Sequence, residues 1–187
     1  MNRTRRSVLA ALTGLAGGTA MQTSPALAAS AHRIDQDVNR ALQNLYAAQP
    51  RARKLGDHAR AILVFPKIVK AGLLIGGQSG DGALRVGGRT TAYYNISAAS
   101  FGLQAGAQTF SYALFFMTSS ALQYLQKSDG WAIGSGPSVV VMDKGAAASA
   151  TSTTLTQDVY AFPFGQHGLM AGLGLEGSKI TRIHPGA

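Results

Sequence analysis

The sequence predicts an α+β domain: two N-terminal helices, one short later helix, and a curved, mostly antiparallel, Gly-rich sheet or partly closed barrel. Three observations carry that expectation. Apolar residues recur at helical spacing before residue 60 and again near 120. Short apolar or β-branched runs punctuated by glycine fill the rest of the chain. The 23 glycines among 187 residues suit tightly turned β structure better than a helical bundle. An apolar content of 46% against 13% charged marks a folded chain, long enough for one domain with a sizeable core.

Residues 1–28 read as a cleavable signal peptide, outside the fold. Basic residues lead into a mildly apolar run, Ser7 to Ala16, far short of the ~20 residues a spanning helix needs. Adjacent Arg5 and Arg6, followed by Ser7-Val8-Leu9, resemble a twin-arginine signal. Ala26-Leu27-Ala28 is an A-x-A signal that places cleavage between Ala28 and Ala29. The expected location is therefore exported, either periplasmic or peripheral on an envelope membrane. A single domain then occupies 29–187, with no repeat of fixed period and no linker.

In that domain Ile34, Val38, Ala41, Leu42 and Leu45 form one apolar stripe, which predicts a helix over 32–48. Pro50 suits the first position of a second helix over about 50–60, with Ala52, Leu55 and Ala59 inward. Ala61 to Phe65 is an apolar strand that Pro66 should stop. Asp81-Gly82, between two strand-favouring segments, predicts a tight hairpin turn. Thr90 to Ile96 reads as a strand. Leu103 to Met117 would span about 50 Å as one strand, so a bend or bulge is expected at Gly106. Phe110, Tyr112, Leu114 and Phe116 lie on one of its faces, and Ala113, Phe115 and Met117 on the other. A strand apolar on both faces belongs inside a fold.

Thr118 or Ser119 should cap a helix running to about Lys127, with Gly130 past its end. Trp131 to Gly134 and Ser138 to Met142 read as strands. The small, polar stretch 145–157 is a loop or a weak edge strand. Strands follow at Asp158 to Phe164, Leu169 to Leu175 and Lys179 to Ile183, joined by turns at Gly165–Gly168 and Glu176-Gly177.

Enzyme chemistry finds little support. The chain has no cysteine, which excludes disulfides, thiol catalysis and a Cys-anchored lipid. His32, His58, His167 and His184 show no metal-ligand spacing and read as surface or turn residues. Asp57, Asp81, Asp129 and Asp143 sit beside Gly or Lys, where turns and helix ends are expected. No G-x-S-x-G elbow exists. Gly172 to Gly177 matches G-x-G-x-x-G, but a strand follows where a dinucleotide site needs a helix. No metal and no cofactor is expected.

The net charge is +9, and +6 once Arg3, Arg5 and Arg6 are removed, with 14 Lys+Arg against 8 Asp+Glu. That balance suits phosphate-bearing partners. Export and the lack of any recognition module argue against nucleic acid. A lipid surface fits better. Lys67 and Lys70 lie among Ile68, Val69, Leu73 and Leu74, so ammoniums could meet headgroups while apolar neighbours meet acyl chains. Arg51, Arg53, Lys54 and Arg60 add charge if they share a face, each basic residue being worth about 1 kcal/mol near an anionic surface. The bland reading of all these cations is a solvated face.

Two blocks, AILVFPKIVKAGLLIGGQSGDGALRVG and YYNISAASFGLQAGAQTFSYALFFM, together with the later WAIGSG, resemble the SYLF domain, also called the Ysc84 domain. The likeness covers about residues 35–183. It implies a non-catalytic lipid-binding domain that recognises phosphoinositide or other anionic phospholipid in eukaryotic members. Some fungal members also bind actin filaments. Lys67 and Lys70 occupy the basic positions of the FPK-x-x-KAG block and are the leading headgroup candidates, with Arg85 and Arg89 behind them. Gly72, Gly76, Gly77, Gly102 and Gly106 look architectural. A secretion signal, with no SH3 or FYVE module, sets this chain apart and argues against actin and phosphoinositides as its partners. Phosphatidylglycerol or cardiolipin fits an envelope better. The expectation is therefore non-catalytic binding of anionic phospholipid at an envelope membrane. The alternative is a periplasmic structural or protein-interaction domain whose basic face contacts an anionic protein or cell-wall polymer.

Overall fold

A computed structural model describes residues 25–72, 75–101, 106–142, 156–168, 175 and 177–185. In chain order the elements are α1 (Pro25–Ala48), α2 (Pro50–His58), β1 (Ala61–Gly72), β2 (Ile75–Val86), β3 (Arg89–Phe101), β4 (Gly106–Phe116), α3 (Ser119–Lys127), β5 (Trp131–Ala132), β6 (Val139–Val141), β7 (Val159–Gly168) and β8 (Lys179–Ile183). The eight strands form one sheet in the order β5-β8-β3-β2-β1-β4-β7-β6. Every pairing is antiparallel except β6 with β7. The sheet curls into a half-barrel: Phe116 of β4 packs 5.9 Å, ring to ring, from Trp131 of β5, although four strands separate them in the sheet. The α+β expectation holds.

The alternation of β4 divides the core into two layers. Phe110, Tyr112, Leu114 and Phe116 join Leu63, Phe65, Tyr94, Trp131 and the inward side of α3 within the curl. Ala113 and Phe115 join Val64, Phe162 and the stripes of α1 and α2 on the opposite face. A strand buried on both sides must be apolar on both, and β4 is. Within the curl Tyr112 meets Phe110 edge-on at 5.4 Å, and burial pushes its phenol pKa up.

The helices follow local chemistry. Pro50 opens α2 after Gln49, where its missing N–H costs nothing. The Thr118 side chain caps α3 by accepting from the Ala121 N–H at 3.3 Å. Its hydroxyl in turn donates to Asp158 at 2.9 Å, and Asp158 also accepts from the Ser138 N–H at 3.1 Å. Those hydrogen bonds hold the Asp158 carboxyl below its ordinary pKa. One side chain thus ties α3, the approach to β6 and the start of β7 together.

Three expected breaks are not breaks. Pro66 does not stop its strand. β1 runs on to Gly72, and Pro66 sits in a bulge, the one sheet position where a missing N–H is harmless. Asp81-Gly82 is not a turn either. Both lie within β2, paired with Asn95 and Tyr94 of β3, and Asp81 accepts from the Asn95 side chain at 2.7 Å. Gly82 is required for close approach: a Cβ there would lie 2.2 Å from the Val64 carbonyl oxygen. The hairpin turn falls instead at Gly87-Gly88, with φ of 57° and 80°, values that only glycine adopts without strain. Gly165–Gly168 is strand, not turn, because β7 continues through it on a second bulge.

Helix α1 begins earlier than 32, at Pro25, and α2 ends at His58. β4 begins at Gly106, and 102–105, on the other side of the bend or bulge expected there, fall outside the described residues, as do 1–24, 143–155 and 169–174. The loop-or-strand question at 145–157 and the strand expected at Leu169–Leu175 therefore lie almost wholly outside the description. β8 has the predicted bounds.

Candidate functional site

Two bulges flank a single point on β4. On one side Pro66 and Lys67 of β1 stand opposite Ser111 alone, since the pairing jumps from Phe65↔Tyr112 to Ile68↔Phe110. On the other side Gly165 and Gln166 of β7 stand opposite Phe110 alone, between the pairs Thr109↔His167 and Ser111↔Phe164. The Ser111 hydroxyl donates to the Pro66 carbonyl at 2.7 Å, replacing a ladder bond that the bulge removes. Bulges bend a strand and re-aim its side chains. Here they turn Lys67 and His167 toward the same face.

α1 crosses that face. Asp35 accepts from the Thr90 hydroxyl at 2.8 Å and the Tyr93 hydroxyl at 3.1 Å, which pins the helix to β3. Burial and the Asp35 carboxylate together raise the Tyr93 pKa. Further along α1, the Asn39 amide oxygen accepts from Arg85 of β2. Its later turns then reach the bulges. Asp37, Arg40, Ala41, Asn44 and Ala48 form one wall of a cleft of about 490 Å³. Pro66, Lys67, Thr109, Phe110, Ser111, Phe164, Gly165 and His167 form its floor and far wall. Arg40 lies 3.7 Å from Asp37 across one turn of helix, both well exposed.

Beyond the bulge the same face changes character. Val69, Ala71, Gly77, Ala99 and Ala107 are exposed neighbours across four strands, with Ile75 beside them. Val69 keeps 44% of its surface and Ile75 71%. This apolar strip adjoins the cleft directly, because Val69 is paired with Thr109 and Thr109 with His167.

The eight cations named from sequence are not gathered on one surface. Lys67 lines the cleft. Lys70 follows Ile68 in the alternation and so points to the opposite, inner face, half-buried and registered between the buried Gln78 and Gln108. Arg85 serves as a tether, donating to Asn39 and to the Gly88 carbonyl. Arg89 is exposed beside that turn. Arg51, Arg53 and Lys54 are exposed on α2, with the Arg53 guanidinium 5.5 Å over the Tyr46 ring. Exposed Arg60 joins α2 to β1, and its N–H donates to the Phe116 carbonyl at 2.7 Å. Arg85 pairs with Ile62, eight positions before Lys70, so the two groups stand about 25 Å apart along the strand. Arg5, Arg6 lie outside the described residues, and α1 runs through Ala28 and Ala29.

Sequence reasoning missed Arg40, Asp37, Asn44, Ser111 and His167 as cleft residues. The signal lay in Pro66 and Gly165, which mark bulges rather than ends. Among the described residues no three His, Asp or Glu side chains group as metal ligands, and no helix is long and apolar enough to cross a membrane.

The described surface thus sets an apolar strip beside a cation-bearing cleft. Residues 97–184 match the family model described as Ysc84: Las17-binding protein actin regulator, and this segment is a Ysc84 (SYLF) family domain. The family is one of non-catalytic binding domains, associated with lipid and actin binding. The match begins within β3 and runs through β8, so it includes Thr109, Ser111 and His167 of the cleft but neither Lys67 nor α1. No curated protein matches the chain.

Proposed function

We propose that this chain binds anionic phospholipid at a bacterial envelope membrane, without catalysis. The observation that carries the reading is the uncovered apolar strip around Val69 and Ile75, continuous with a cleft that presents Lys67 and Arg40. Exposed apolar side chains in one patch mark an interaction surface. Cations at its margin match a layer of acyl chains topped by phosphates, and the lipid-binding associations of the Ysc84 family support the same partner. Export is part of the proposal, with Arg5 and Arg6 as the twin-arginine pair. Cleavage between Ala28 and Ala29 would leave Ile34, Val38, Ala41 and Leu45, the packing residues of α1, in place. The alternative, an anionic protein or polymer held by one basic face, needs cations gathered together, and among the described residues they are dispersed.

Co-sedimentation with neutral and anionic vesicles across a salt series tests the reading. Anionic vesicles should retain the protein at low salt, with binding that weakens as salt rises and in Lys67→Glu. Lys70→Glu, on the inner face, is expected to act on folding more than on binding. Failure to bind any vesicle at low salt would falsify the proposal.

A further inference from the structure

The donors and acceptors of the cleft are more particular than a bare anion requires. Lys67 has no partner among the described residues, and it reaches the cleft from the β1 bulge. Arg40 reaches it from α1, where its single 3.7 Å approach to Asp37 leaves most of its guanidinium donors unused. Two cations from separate elements suit a phosphate. The same cleft also holds acceptors: the Asp37 carboxylate, the Asn44 amide oxygen and the Ser111 oxygen, whose proton is committed to Pro66. Inorganic phosphate can offer these groups only a P–OH on the same centre whose negative charge Asp37 repels. A phosphate ester that also carries hydroxyls satisfies both sets. The volume, about 490 Å³, lies within the ordinary range for small-ligand sites.

We propose that the cleft between α1 and the paired bulges is a recognition pocket for a phosphodiester bearing free vicinal hydroxyls, such as a phosphoglycerol headgroup. Lys67 and Arg40 take the phosphate oxygens, while Asp37 and Asn44 accept from the hydroxyls. The proposal takes the lipid source of that phosphodiester from the membrane reading above, whereas the pocket itself stands on the cleft. It distinguishes headgroups of similar charge. A phosphomethanol headgroup carries the same single negative charge with no hydroxyl, and phosphatidic acid has none beyond its phosphate.

Two measurements on the full chain test it. In the first, the protein is co-sedimented with vesicles holding the same mole fraction of phosphatidylglycerol or of phosphatidylmethanol. Phosphatidylglycerol should be preferred by about tenfold, the scale of one hydrogen bond to a charged group. Asp37→Ala should strengthen binding to both lipids by removing a negative charge, yet bring the ratio toward one by removing an acceptor for the hydroxyls. Equal binding in the unmodified protein, or a preference unchanged in Asp37→Ala, overturns the proposal. In the second, soluble glycerophosphoglycerol and inorganic phosphate are titrated while the backbone amides of Lys67, Ser111 and His167 are followed by NMR. Saturable shifts with the glycerol diester, and much weaker ones with phosphate, support the pocket. Equal responses, or none, overturn it. The two readings fail separately. Saturation by the soluble diester without vesicle binding keeps the pocket and removes the membrane. Anionic-vesicle binding with no headgroup preference does the reverse.

Discussion

Ala61–Phe65 and Val69–Gly72 are two stretches of one strand, both apolar in character, and the fold treats them in opposite ways. The first is covered on both faces: Leu63 and Phe65 by the layer that includes α3 and Trp131, Val64 by α1 and α2. The second is covered only within the curl, and Val69 and Ala71 open to solvent on the other face. The reason is reach. Strands of 12 residues span about 40 Å, while the nine-residue α2 spans about 14 Å. α1 is longer but crosses obliquely, from Thr90 and Tyr93 of β3 to the bulges, so no described helix covers the far end. Apolar character therefore identifies a strand without deciding what covers it. The bulge at Pro66-Lys67 is the boundary between a packed half and one available to a partner.

The comparison can be broken most forcefully in the covered half. Phe65 is fully buried, and Phe65→Ala should cost about 3–5 kcal/mol in urea-induced unfolding. A loss under 1 kcal/mol would mean that half is not the packed one. Next comes the boundary. Gly82→Ala places a methyl group against the Val64 carbonyl, and chain shifts to relieve it should cost about 1–3 kcal/mol. Gly77→Ala, in the bare half, meets no atom nearer than 3.6 Å and serves as its near-neutral control. The smallest effect on folding belongs to Ile75→Asp, whose stability should stay within about 0.5 kcal/mol of the parent. Its affinity for anionic vesicles should nevertheless drop. An unchanged affinity would remove the bare half from the binding surface.

Much of the architecture was legible because it is written locally. The stripe from Ile34 to Leu45, the cap at Thr118 and the two-faced pattern of Phe110 to Met117 each depend on residues a few positions apart, and each appears as read. The errors share a cause. Pro66, Asp81-Gly82 and Gly165–Gly168 carry strong turn chemistry, and strands run through all three. At these points the neighbouring strand, not the local sequence, selects the residue: Gly82 for the backbone that presses on it, Pro66 and Gly165 for bulges. The cleft was legible only at Lys67. Arg40 and His167 stand far from it in sequence, and only the oblique docking of α1 and the β7 bulge bring them near. No pattern within either segment encodes that meeting.

The strand order has a consequence for how the chain is made. β1, β2 and β3 form a local meander, yet their outer edges are covered from distant segments: β1 by β4, and β3 by β8, whose last residue is Ile183. During synthesis the meander emerges first, and the hydrogen-bonding groups along the open side of β3 stay unpaired until residues 179–183 have been released. Open edges of this kind recruit other strands, and pairings across such sequence distances form slowly. The dangerous interval is the time before β8 arrives. Truncation before Lys179 should therefore leave a chain that aggregates rather than one that merely lacks a short strand.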